Sequence, residues 1–103
     1  MARFEVRIAS RAMAEIQKIS RAWAKHRAAS PKLFERELDA ILDLLESQPE
    51  IGMLRRLRSV GEVRVVVLRR SRYLVAYQVR SAEQQVWIVL VRHASRRPVL
   101  RPI

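Results

Sequence analysis

Apolar and polar residues alternate from the start of the chain. Phe4, Val6 and Ile8 interleave with Arg3, Glu5 and Arg7, the period of a half-buried strand. The period then lengthens: Ala12, Ile16, Ile19 and Trp23 recur at helical spacing, with Ser10 placed to cap the first turn. The stretch HRAASP interrupts that helix, and Ser30-Pro31 reads as the N-cap and first-turn proline of a second. Phe34, Leu38, Ile41, Leu42 and Leu45 form the second apolar stripe, which Pro49 and Gly52 bring to an end. Glu35, Glu37 and Asp39 suit the positive end of that helix dipole and otherwise read as a solvated face. So short a break between two helices predicts an antiparallel hairpin.

Beyond Gly52 the pattern becomes that of strands. Residues 63–68, 73–79 and 86–91 are rich in β-branched and aromatic side chains, separated by the polar breaks RRSR and SAEQ. They predict an antiparallel meander, to which residues 54–60 add a short irregular strand. With residues 4–8 joining the sheet, the expected fold is α+β in the order β-α-α-β-β-β. An antiparallel sheet packs one face against the helical hairpin and leaves the other open to a ligand. One domain over residues 1–103 accommodates this, and no internal repeat is visible. Tyr73, Tyr77, Trp23 and Trp87 read as core residues, and His26 as a partner of the first helix's C-terminal dipole.

Charge changes the picture. The net charge is +11, and it is unevenly placed: residues 1–50 carry nine basic and eight acidic side chains, whereas residues 51–103 carry twelve arginines, no lysine, and only Glu62 and Glu83. Such a surface attracts nucleic acid or an acidic protein. Arginine without lysine points to bidentate contacts with phosphate or carboxylate rather than to solvation alone. Arg64 lies inside an apolar strand and Arg92 interrupts the last one, so each is expected to point to the open face or to pair with an acid. With Arg69, Arg70 and Arg72 in the intervening turn, they would gather guanidinium groups along one face or edge of the sheet.

Much chemistry is absent. The chain has no cysteine, hence no disulfide framework and no thiolate metal site. It has two glycines and no phosphate-cradling loop, no zinc-type histidine spacing and no nucleophile elbow. No cofactor and no metal are expected. The opening MARFEVRIAS lacks the apolar stretch of a signal peptide, and no run is long enough to span a membrane, so a cytoplasmic location is expected. His93 is the one candidate for proton transfer; it follows the apolar run WIVLV and precedes Ser95, Arg96 and Arg97. The competing reading makes it a strand-end residue that satisfies a backbone group or contacts a target.

Taken together, the opening strand, the helical hairpin, the QPEIG turn, VRVVVLRRSRYLVAYQV and the closing VWIVLVRHASRRP resemble the RelE/ParE superfamily of type II toxin–antitoxin toxins, over nearly the full chain. The resemblance implies a small toxin neutralised by an acidic antitoxin. It also implies one of two mechanisms: RelE-like toxins cut mRNA on the ribosome without metal, and ParE-like toxins poison DNA gyrase, with growth arrest and, for plasmid-borne pairs, plasmid stabilisation. Set against the nuclease branch, Arg64 stands where a working lysine is found, Val66 where a second would be, and Leu74 where an arginine would be. Arg96 can stand in for the late arginine, but no tyrosine follows it. Arginine is a poor proton acceptor, with a pKa above about 12. The pattern is closer to the ParE-like side. On this reading Arg64, Arg92, His93, Arg96 and Arg97 bind the target, and Arg64, Arg69, Arg72 and Arg92 face the antitoxin. His93 is catalytic only if the chain is a nuclease. The expectation is a gyrase-binding toxin; a ribosome-dependent mRNA endonuclease and a basic nucleic-acid-binding module are the alternatives.

Overall fold

A computed structural model describes residues 3–27, 29–96 and 100–102. Strand β1 (Glu5–Ile8) leads into helix α1 (Ser10–His26) and helix α2 (Leu33–Ser47). Strands β2 (Met53–Leu57), β3 (Gly61–Val67), β4 (Tyr73–Arg80) and β5 (Gln85–His93) follow. A 3-10 turn (Ala94–Arg96) and strand β6 (Leu100–Pro102) close the chain. The sheet order is β1-β5-β4-β3-β2-β6. The α+β architecture is the expected one, with a regular β2 and an added edge strand. One pairing differs in sense: β1 runs parallel to β5, Val6 beside Val86 and Ile8 beside Ile88, because the hairpin returns the chain to the far edge as a crossover.

Neither helix starts where its capping residues suggested. Ala9, not Ser10, is the N-cap of α1; it is extended and donates its N–H to Ile88 O at 2.9 Å, so the strand pairing runs directly into the helix. Helix α2 begins at Leu33, because the Ser30 carbonyl is taken up by the turn itself. It accepts the Leu33 N–H at 3.2 Å and the Trp23 indole N–H at 2.7 Å. Pro49 ends α2 as anticipated, since a residue before proline is pushed out of helical geometry, and Gln48 sits at φ −132 and ψ 65.

Side-chain alternation gives the sheet two buried faces. Toward the helices, Ala12, Phe34, Leu38 and Leu45 pack on Val75, Tyr77, Val86, Ile88 and Val91. Emptying the Phe34 site would cost about 3–5 kcal/mol. On the opposite face, Leu57, Val63, Val65, Leu74, Ala76 and Leu90 form a second buried cluster. Over this cluster that face is therefore not the open ligand platform expected from the hairpin packing alone; it stays exposed around Arg7 and Arg80. An irregularity between Ala76 and Tyr77 places Leu90 opposite Ala76 and Ile88 opposite Tyr77. The extra residue keeps Leu90 in the second cluster and Val91 in the first.

Candidate functional site

The end of β5 meets α1 in a cleft of about 510 Å³, lined by Glu15, Lys18, Tyr73, Arg92, His93 and Ser95 among others. Strand alternation turns His93 toward the helices, where its ring stands edge-on to Tyr73 at 5.1 Å and 86°. Tyr73 in turn packs edge-to-face on Phe34 at 5.0 Å and Trp23 at 6.1 Å. Tyr77 is a core residue as expected, whereas Tyr73 is half-buried and forms the wall between core and cleft.

The wiring of His93 limits its chemistry. The Ser95 backbone N–H donates to Nδ1 at 3.1 Å, and the Ser95 hydroxyl lies 2.7 Å from the same nitrogen. A backbone N–H can only donate, so Nδ1 is the acceptor and the ring proton sits on Nε2. A histidine set up as a general base has the reverse arrangement, with Nδ1–H held by an acceptor and the Nε2 lone pair free. His93 thus offers the cleft a donor.

Arg92 is not a free cation on a sheet face. It curls around the β5 edge to pair with Glu15, whose other carboxylate oxygen accepts the Val91 N–H at 3.0 Å. Beyond Ile88 no β1 residue pairs with β5, so the Glu15 carboxylate serves the backbone where a strand would otherwise be needed. Arg11 approaches the same carboxylate at 3.7 Å. The pairing of Arg92 with an acid was one of the two expected outcomes, and Glu15 itself carried no sequence signal.

Arg64 takes a third course, neither open-faced nor acid-paired. It shares the helix-facing side with Tyr77, and its guanidinium donates to the carbonyls of Gly52 at 2.8 Å and Glu50 at 3.1 Å. The Tyr77 hydroxyl accepts the Gly52 N–H at 2.8 Å. Burial pushes the Tyr77 pKa up, and the Glu50 charge adds to this. The Gly52 hydrogen bond and the Arg64 charge oppose the rise without cancelling it. Arg64 is a brace for the QPEIG turn.

The RRSR turn is anchored too. Glu37, expected on a solvated face, accepts the N–H of Arg70 at 2.9 Å and of Ser71 at 2.7 Å. Burial alone would raise its pKa, but the Ser71 hydroxyl, the two N–H groups and the Arg70 charge bring it below the ordinary value. The hydroxyl is near enough to contribute to that lowering yet makes no hydrogen bond of full geometry, so the backbone pair carries the contact. Arg72 closes the turn with a left-handed φ of 68 and passes its carbonyl to the Ala94 N–H at 2.7 Å, which ties the turn to the end of β5.

A groove of about 730 Å³ wraps from α2 over β2–β3, lined by Ile41 and Val66 on the helix side and by Val65 and Met53 on the other face, with Arg55 and Arg69 also in its lining. Ile51, Met53 and Val67 are 39%, 61% and 48% exposed along it. The sequence-predicted cations therefore divide three ways: Arg69 borders this groove, Arg72 is exposed in its turn, and Arg64 and Arg92 are engaged inside the fold. Arg96 is placed by its backbone in the 3-10 turn, while its side chain and Arg97 lie outside the described residues. Trp87, expected in the core, faces the other way and lies between Arg7 and Arg80. Among the described residues no cluster of His, Asp or Glu could hold a metal ion, and no helix is long and apolar enough to cross a membrane.

The architecture is similar to that of the isolated RelE toxin of E. coli, whose crystal structure superposes with a TM-score of 0.54 at 24% identity, covering 91% of this chain and 87% of that one. No curated protein matches the sequence. The family model for the ParE toxin of the type II toxin–antitoxin system parDE matches residues 6–98, nearly the whole chain, from β1 through the His93 cleft, and the chain belongs to that family of toxins.

Proposed function

We infer that this type II toxin acts by docking on DNA gyrase and does not cut mRNA. The observation that carries the reading is the occupied Nδ1 of His93, which leaves the cleft, among the described residues, with no histidine arranged as a base. The strand positions that resemble the nuclease branch's cations support it. Arg64 is bound to two carbonyls, Val66 is apolar and Leu74 is buried, so these three strand positions offer no cationic pair to hold a scissile phosphate. Missing two such groups would cost several kcal/mol of transition-state stabilisation. Lys18, at the mouth of the cleft, and the arginines of the closing segment provide charge for docking. The decisive experiment pairs a supercoiling assay on purified gyrase with primer extension on translating ribosomes. Inhibited supercoiling with intact mRNA is the expected outcome; ribosome-dependent cuts without gyrase inhibition would reject the reading. Either target places the toxin in the cytoplasm.

The family pairs its toxins with antitoxins. The groove beside α2 fits an acidic, amphipathic antitoxin segment. Ile51, Met53 and Val67 offer apolar contact, and Arg55 and Arg69 offer carboxylate partners at the rim. A segment disordered alone would order there as its apolar face is covered.

A further inference from the structure

Near the start of β5, on the face opposite the helices, Trp87 lies between two guanidinium groups. Arg7 on β1 stands 5.3 Å from the ring centre and Arg80 on β4 stands 4.9 Å from it. The register explains the arrangement: Arg7 is level with Trp87 across the parallel pair, and Arg80 reaches in diagonally from the residue opposite Gln85. Both arginines are exposed, and the indole is half-buried. The indole N–H is already satisfied by Gln85 Oε1 at 2.9 Å. The Trp87 ring therefore serves as a rigid support rather than as a hydrogen-bonding group.

Stacking on an indole holds a guanidinium in place while leaving its N–H edges free. The two arginines sit two strand spacings apart, roughly 10 Å. We propose that this Arg7–Trp87–Arg80 surface is a second binding site that grips the phosphate backbone of nucleic acid without reading its sequence.

Two features favour phosphate over an acidic peptide. A peptide that orders on binding must cover apolar surface to offset its lost entropy, and here the one aromatic ring is already flanked on both sides. The apolar groove with an arginine rim lies elsewhere, beside α2. A regularly charged backbone, by contrast, needs only spaced, oriented cations, and Gln78, level with Trp87 on β4, helps orient one of them by accepting from Arg80 Nη2 at 3.4 Å. The site is also separate from His93, six residues and roughly 20 Å along β5. It stands whether the toxin's target is gyrase or the ribosome.

One acid marks the site. Glu5 lies 3.6 Å from Arg7 and accepts a hydrogen bond from Gln85 Nε2 at 3.0 Å. An incoming phosphate must displace that carboxylate from Arg7, so Glu5 weakens binding in this reading.

The test is anisotropy of a short fluorescein-labelled DNA duplex with the free chain, across a salt series. Circular dichroism and thermal melting confirm the fold of each variant. Arg7→Gln with Arg80→Gln should lower the salt slope by about two, one unit per phosphate contact. Glu5→Gln should tighten binding severalfold, and Trp87→Leu should weaken it about threefold with the slope unchanged. Arg69→Gln with Arg72→Gln removes equal charge elsewhere and should lower the slope less. Equal slopes for the two double variants would overturn the proposal, as would unchanged affinity in Glu5→Gln. A double variant that loses polyglutamate binding but keeps duplex binding would reassign the surface to an acidic protein.

Discussion

The buried Tyr77 hydroxyl accepts the Gly52 N–H at 2.8 Å, with so little room that a Cβ on Gly52 would lie 2.7 Å from the same oxygen. The contact joins the turn after α2 to the middle of the sheet, and Arg64 braces it from the other side through the Gly52 and Glu50 carbonyls. Gly52 is required for this close approach.

Three substitutions separate the parts of that joint. Gly52→Ala forces Tyr77 or the turn to shift and should destabilise by about 1–3 kcal/mol. Tyr77→Phe leaves the Gly52 N–H without its acceptor, at a cost of about 1–3 kcal/mol. Arg64→Met keeps the stem but frees two carbonyls near solvent, so its loss should be smaller than either. Urea denaturation gives the order. An Arg64→Met loss larger than that of Tyr77→Phe would make the guanidinium, not the hydroxyl, the main tie.

The RRSR turn should respond to pH through Glu37. Its carboxyl pKa is lowered in the folded chain, so it contributes stability that is fully present above the ordinary carboxylate value of 4.5 and is lost as pH falls through the folded value. Glu37→Gln, which can accept only one of the two N–H groups well, should melt lower than the parent near neutral pH. The gap in melting temperature should close in acid. A gap that stays constant from neutral pH into acid would show that shape rather than charge holds the turn.

The order of elements was legible because periodicity reports locally on burial: the stripe from Ala12 to Trp23 and the alternation from Tyr73 to Val79 each specify a face. What joins distant elements was not. Glu15 and Arg92 are separated by 77 positions, and Glu37 and Arg70 by 33, and nothing local distinguishes these acids from a solvated row. Trp87 shows a related limit. Its aromatic character suggested the core, and only the register with Arg7 and the diagonal approach of Arg80 show what covers it. Arg64 was recognisable as unusual within an apolar strand. Its partners were not, because backbone carbonyls carry no residue identity.

Antitoxin affinity should follow the groove rather than the strand arginines. Arg55→Glu with Arg69→Glu reverses the charge at the rim and should weaken the complex at least tenfold, mostly through faster dissociation. Met53→Asp should do the same by placing a charge in the apolar floor. Arg72→Glu lies outside the groove lining and should change affinity little. Arg64→Glu is uninformative for binding, since it breaks the Gly52 brace. Surface plasmon resonance distinguishes these cases, and an Arg72→Glu loss matching that of the rim pair would move the interface onto the turn.

The last prediction separates docking from catalysis at the cleft. His93 presents an Nε2–H donor because Ser95 occupies Nδ1, so His93→Gln retains a donor near the same place and should keep most toxicity. Ser95→Ala removes the hydroxyl but not the backbone N–H, and should likewise be mild. If the closing segment grips its target by charge, Arg96→Ala with Arg97→Ala should cost far more, since each guanidinium brings several charge-assisted donors where the imidazole offers the cleft one N–H. Growth after induction, scored with gyrase supercoiling in vitro, reads the comparison directly. Toxicity abolished by His93→Gln in a folded protein that still binds its antitoxin, with ribosome-dependent mRNA cuts from the parent chain, would mean that the imidazole rewires on the ribosome. The toxin would then be a nuclease.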